Sequence, residues 1–222
     1  PAQKNTLEIA KIRGVKPYTE IISPPFHSAF KTPIELIKFI QNLRELSSGK
    51  PIGFKLCVGS KIEFLSICKA MNKLQIYPDF ITIDGAEGGT GAAPVEFSNR
   101  LGMPGDEALS FAHRVLIGFD LRKHTTLCTS SRIASSFDMI RKVALGADCC
   151  NLARTMMFAV GCIQALKCHT NKCPTGVATL DPSRNKGLVI AHKAKHAARY
   201  HQKTLQCMSE LMSAMGVAST AA

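Results

Sequence analysis

The chain has 222 residues, 45% of them hydrophobic and 20% charged, which is enough for one sizeable core and too apolar for a disordered segment. No apolar run approaches the roughly 18 residues of a membrane span, so the chain as given reads as soluble. A formal charge of +12 invites a nucleic-acid role, but the basic residues are scattered and no aromatic platform interleaves them.

From the N-terminus, about thirty residues carry no strand signal. The chain starts at Pro1, without methionine, which is the pattern of a piece of a longer protein whose targeting segment would not be seen. Thr32-Pro33-Ile34-Glu35 is a capping box with proline at the first helical position, and Leu36, Ile40 and Leu43 follow as an apolar stripe that Gly49 ends. Pro51 to Gly59 is a short, largely apolar run of the kind that makes a buried parallel strand. Ser60 to Glu63 repeats the capping box, with Phe64, Cys68 and Met71 along one helix face.

Asp79 to Gly85 predicts a second strand, Gly105 to Lys123 a helix, Thr125 to Ser130 a third strand, Ser136 to Leu145 a helix, and Ala147 to Ala153 a fourth strand. Gly187 to Gly216 predicts one or two further helices, with Leu205, Met208, Leu211, Met212 and Met215 as a packing stripe. The basic group Lys193, Lys195, Arg199 and Lys203 falls there as a solvated face, and His192 and His196 read as surface residues. Strand and helix alternation implies a parallel α/β sheet with right-handed crossovers. Four strands are half of a (β/α)8 barrel, and ligands of such folds bind at the C-terminal strand ends.

All four strand ends carry candidate chemistry. Lys55 lies inside the first strand between Phe54 and Leu56, so it either faces a polar site or sits at a wet edge. After the second strand comes Asp84-Gly-Ala-Glu-Gly-Gly-Thr-Gly91, whose glycines let backbone N–H groups approach an anion or a ring. The loop matches neither the dinucleotide nor the Walker pattern. Ser130-Ser131-Arg132 and Asn151-Leu-Ala-Arg154 end the third and fourth strands just before helices, an arrangement suited to a phosphate.

Cys162, Cys168 and Cys173 then fall within twelve residues, with Pro174 after the last. Three thiolates this close can converge on a soft metal centre, and three suit a three-iron cluster better than a four-iron cube. A zinc site would need a fourth ligand, and His169 follows Cys168 directly, unlike the usual paired spacing. Inert buried thiols are the remaining reading, and Cys57, Cys68, Cys128 and Cys149 are expected to be that. Disulfides are disfavoured by an odd count of nine cysteines and no visible signal peptide.

These segments together resemble the flavin-binding central and C-terminal region of glutamate synthases, and more closely the glutamate-synthase-like FMN-binding proteins. The resemblance rests on Gly53 to Leu56, Ile83 to Pro94, Gly146 to Asp148, Asn151 to Arg154, and Gly161 to Thr179, and covers roughly residues 7 to 190. It implies strands 5 to 8, the C-terminal half, of a (β/α)8 TIM barrel of the FMN-linked oxidoreductase type, followed by a C-terminal helical extension. The implied activity is that of an oxidoreductase acting on CH-NH2 donors, passing electrons through a [3Fe-4S] cluster to FMN for the reduction of 2-iminoglutarate to glutamate.

Carried over by position, Cys162, Cys168 and Cys173 would ligate the cluster. Lys55 and Glu87 are the candidate catalytic residues, with Lys55 also beside the flavin pyrimidine. Gly88, Gly89, Thr90 and Gly91 would line the flavin and substrate, and Ser130, Ser131, Asn151 and Arg154 would surround the phosphate. The full synthases have two glycines where Ser130 and Ser131 stand, and histidine and aspartate where Ala86 and Glu87 stand. Nothing here resembles their glutaminase domain.

The expected organisation is an N-terminal lead-in over 1–30, a partial flavin-binding barrel over 31–160, an iron-sulfur segment over 161–180 and a helical tail over 181–222. Expected partners are the missing barrel half or a longer parent chain, an electron donor protein (ferredoxin or an NAD(P)H-oxidising subunit), a small-molecule substrate and a second copy in a homo-oligomer. Neither nucleic acid nor membrane is expected, and the expected location is cytoplasmic. The alternative is a non-catalytic half-barrel remnant or fragment with an oligomerising or regulatory role.

Overall fold

Strand and helix alternate along the computed structural model as the sequence predicts; it describes residues 2–22, 26–87 and 96–220. Strands β1 (Gly53–Cys57), β2 (Phe80–Asp84), β3 (Thr126–Thr129) and β4 (Cys149–Cys150) form one sheet in the order β1-β2-β3-β4. Every pairing is parallel. Each strand is shorter than the apolar run that predicts it, and β4 keeps only two residues. Its ladder nonetheless continues at both ends, because Asp148 N donates to Leu127 O and Asn151 N to Thr129 O, each at 2.8 Å.

The helices begin and end for local reasons. In α2 (Pro33–Leu46) the capping box is made: Thr32 Oγ1 accepts from Glu35 N, and Glu35 Oε2 accepts from Thr32 N, both at 3.2 Å. The same box predicted for α3 (Lys61–Leu74) is not made, since Ser60 stands at the N-cap but accepts no bond there. A box that the sequence reading passed over starts α5 (Ser136–Ala144): Ser135 Oγ accepts from Asp138 N, and Asp138 Oδ2 accepts from Ser135 N. Aspartate in place of the usual glutamate hid it. Helix α4 (Gly105–Gly118) carries Asp106 and Glu107 in its first turn, where carboxylates are favoured by the helix dipole.

By contact pattern the chain divides into two units. The larger comprises 26–88, 95–153 and 204–222, and it holds the sheet. Its core is Leu36, Ile37 and Ile40 of α2, Phe64, Cys68 and Met71 of α3, Ala108, Leu109, Ala112 and Leu116 of α4, and Ile81, Ile83 and Leu127 of the strands. Side chains alternate between the faces of a strand, so these helices cover the face bearing Phe54, Leu56, Ile81, Ile83 and Leu127. The opposite face presents the cross-sheet row Lys55, Thr82, Cys128 and Cys149, set by the register.

That geometry corrects the reading of the strand cysteines as buried. Only Cys68 is fully enclosed, whereas Cys57 and Cys149 are exposed and Cys128 is half-buried. All three lie on the face opposite α2, α3 and α4. The smaller unit comprises 1–25, 89–94 and 154–203, with α1 (Leu7–Arg13), α6 (Arg154–Ala159), α7 (Pro182–Asn185) and the start of α8 (Ile190–Ala214).

The C-terminal tail is one helix of 25 residues after α7, and of its expected packing stripe Met208 is buried while Leu211 and Met212 are half-buried. Leu205 and Met215 are exposed. His192 and His196 are exposed, as expected. Among the described residues, no helix is long and apolar enough to cross a membrane.

Candidate functional site

Lys55 reaches the C-terminal end of the neighbouring strand. Its Nζ lies 2.7 Å from Asp84 Oδ2, and Asp84 Oδ1 accepts from Gly85 N at 3.0 Å. The register places Lys55 beside Thr82 and Cys57 beside Asp84, so lysine, aspartate and thiol share the face opposite α2, α3 and α4. Burial, together with the carboxylates of Asp84 and Glu87, pushes the Cys57 thiol up, keeping it neutral.

Glu87 lies three residues after the end of β2. Both oxygens of Glu87 lie 3.0 Å from Gly105 N, the first amide of α4, and Oε2 accepts from Ser131 Oγ at 2.6 Å. Burial works against the Glu87 charge, but the bonds from Ser131 and Gly105 and the nearby Lys142 ammonium outweigh it and hold the carboxyl below the usual range.

Ser130 N continues the ladder to Ile83 O, and Ser130 Oγ is buried with no hydrogen-bond partner among the described residues. Ser131 has φ 106°, in the region glycine favours, and this is one of the two positions where the resembled family carries glycine. Asn151 follows β4 directly. Gly88, Gly89, Thr90 and Gly91 lie outside the described residues.

The residues that fix this corner were not all foreseen. Lys142 on α5 is buried and reaches Asp106 in the first turn of α4, which Arg141 also approaches at 3.3 Å. A lysine three residues from the end of a predicted amphipathic helix gives no signal of burial in sequence. Asp84, at the end of the second predicted strand, has Lys55 as its partner.

The smaller unit holds the cysteine segment. Arg154 opens α6, Cys162 and Cys168 are half-buried, and Cys173 is buried, all with free thiols. Burial pushes the Cys173 thiol up, but the Thr175 hydroxyl at 3.5 Å and the backbone N–H groups of Ala178, Thr175 and Val177 bring it down to about 7. Gln164, Leu166 and Asn171 all adopt positive φ, between 53° and 63°, an unusual density of left-handed non-glycine residues.

His169 Nδ1 is buried without a partner. Among the described residues, no group of three His, Cys, Asp or Glu side chains could hold a single metal ion. The structure therefore does not gather Cys162, Cys168 and Cys173, with or without His169, around one ion. The side chains present are free thiols, the donor type that a soft metal centre takes.

Residues 1–218 match the conserved region in glutamate synthase. The chain belongs to the glutamate synthase family. The glutamate synthase large subunit-like protein YerD of Bacillus subtilis is 40% identical over 212 residues, covering 96% of this chain and 40% of that protein. The NADH glutamate synthase of Saccharomyces cerevisiae is 31% identical over 221 residues, covering 97% of this chain and 10% of that enzyme.

This member of the glutamate synthase family thus spans well under half the length of both relatives. A flavocytochrome b2 double variant with pyruvate bound superposes with a TM-score of 0.50 at 14% identity, over 94% of this chain and 38% of that one. The likeness fixes the architecture as part of a (β/α)8 barrel with four parallel strands and a long C-terminal helix. At the end of β3, the Ser130 hydroxyl is buried and, among the described residues, has no hydrogen-bond partner.

Proposed function

We propose that the chain is the C-terminal barrel half of a glutamate-synthase-like oxidoreductase that binds FMN and a [3Fe-4S] cluster and serves the reductive amination of 2-iminoglutarate to glutamate. The observation that carries this reading is Lys55. A lysine within a parallel strand, on the face opposite the core helices and ion-paired to Asp84 at the strand ends, is placed to act on a ligand lying across those ends.

Flavin, when bound, supplies the two-electron chemistry, and the protein's share is orientation and charge. The Lys55 ammonium would stabilise negative charge on a ring lying over the strand ends, with Asp84 fixing the direction of the amine. Ser130 and Asn151 would bond the phosphate. Arg154 belongs to the smaller unit, and its assignment to the phosphate rests on the sequence alone, as does that of residues 88–91 to the flavin ring. Cys162, Cys168 and Cys173 would hold the cluster, an assignment supported by the lowered thiol of Cys173 and the left-handed backbone around it.

Ferredoxin or an NAD(P)H-oxidising subunit would deliver electrons, and a further barrel half, in the same polypeptide or another, would complete the flavin site. Nine free cysteines fit a reducing, cytoplasmic setting.

Anaerobic purification followed by iron, sulfide and flavin quantitation tests the proposal. Bound FMN, three irons per chain and loss of iron in Cys162→Ser are expected. A protein that takes up neither iron nor FMN after reconstitution sinks it for this chain.

A further inference from the structure

The carboxylate of Glu87 is engaged entirely by the protein. It joins three pieces of chain that are distant in sequence: the loop after β2, the first amide of α4, and the turn after β3. A helix N-terminus is a ready anion site, and here the anion comes from within. The fit leaves no spare room. A Cβ on Gly85 would lie 1.9 Å from Glu87 Oε2 and 2.5 Å from Ser131 Oγ, and one on Gly105 would lie 2.7 Å from Ser131 Oγ.

Ser131 meanwhile holds φ 106° and Arg132 φ 49°, backbone conformations that L residues seldom take. The bond from the Ser131 hydroxyl to Glu87 is what the serine gains in return. That bond also decides which of the two adjacent serines is available. Ser131 donates its only hydroxyl proton to Glu87, whereas the Ser130 hydroxyl is buried and unpartnered.

We propose that Glu87 is a positioning residue: it clamps the Ser130–Ser131 turn onto the N-terminus of α4, closes that terminus to outside anions, and reserves the Ser130 hydroxyl for a ligand phosphate. The phosphate part rests on the flavin reading above; the clamp does not. Glu87 on this account never touches the reacting atoms.

Paired dissociation constants for FMN and riboflavin, read by flavin fluorescence, separate phosphate recognition from general integrity. Glu87→Ala is expected to lower the preference for FMN over riboflavin about tenfold, the scale of one hydrogen bond to a charged group, while riboflavin affinity stays within about twofold. Glu87→Gln, which can still accept from Gly105 or Ser131, is expected to recover part of that preference. Equal weakening of both flavins, or an unchanged preference, overturns the positioning role.

A wild-type chain that binds neither flavin sinks the flavin reading and the phosphate part with it. The clamp is then decided by urea unfolding. Ser131→Gly is expected to cost at least about tenfold more in the folding equilibrium constant with Glu87 present than in the Glu87→Ala background, because the bond to a charged acceptor is lost only in the first case. Equal costs in the two backgrounds overturn the clamp.

Discussion

Lys142 and Asp106 form an ion pair whose two ends sit in different surroundings, and the difference predicts an asymmetric response to mutation. The lysine side chain is 3% exposed and the aspartate 39%. Removing the aspartate as Asp106→Asn strands an ammonium in the interior, and breaking a buried pair from one side costs about 3–5 kcal/mol. The reverse change, Lys142→Met, fills the same space with an unbranched apolar chain. It leaves a half-solvated carboxylate that keeps Arg141 at 3.3 Å.

An ion pair of that exposure is worth about 0–1 kcal/mol, so Lys142→Met should cost about 1 kcal/mol or less. Urea unfolding followed by far-UV circular dichroism at neutral pH measures both. The two variants should differ by at least about 2 kcal/mol. If Lys142→Met proves as damaging as Asp106→Asn, the burial argument is wrong and the pair contributes through attraction itself.

Three other outcomes follow from the same structure. Asp148 accepts from Arg122 at 2.6 Å and from Leu127 N at 2.7 Å, and these bonds outweigh burial to hold its carboxyl below the usual range. A depressed carboxylate stabilises the fold above its unfolded value near 4 and loses that contribution as pH falls from there through the lowered folded value, so Asp148→Asn should flatten the acid limb of a stability profile below about pH 4. Phe64, fully buried against α4, should cost about 3–5 kcal/mol as Phe64→Ala in denaturant unfolding. Gly85→Ala should cost at least about 1–3 kcal/mol by overpacking the Glu87 corner, and the loss should shrink when Glu87 is also replaced by alanine.

The fold was legible because its signals are local and periodic. Thr32 and Glu35 announce α2 at the right residue, and Phe64, Cys68 and Met71 mark the buried face of α3. Faces and partners were less legible. Whether Cys57, Cys128 and Cys149 are buried depends on which side of the sheet the helices take, and a short apolar run carries no mark of that. The pairing of Lys55 with Asp84 spans 29 positions, and that of Glu87 with Ser131 spans 44. Such contacts arise from register, which is set by the whole sheet. Ser131 shows the same limit: its left-handed backbone follows from what surrounds it, whereas composition would have put glycine there.

Helices α2, α3 and α4 pack on one face of the four-stranded sheet, which divides the strands by parity. Phe54, Leu56, Ile81, Ile83 and Leu127 answer to packing, while Lys55, Cys57, Asp84 and Cys128 answer to whatever lies over the strand ends. Neighbouring codons therefore carry unrelated selective pressures. Substitutions at alternate positions of these strands read out different things, packing on the helix-facing side and charge on the side of Lys55 and Asp84.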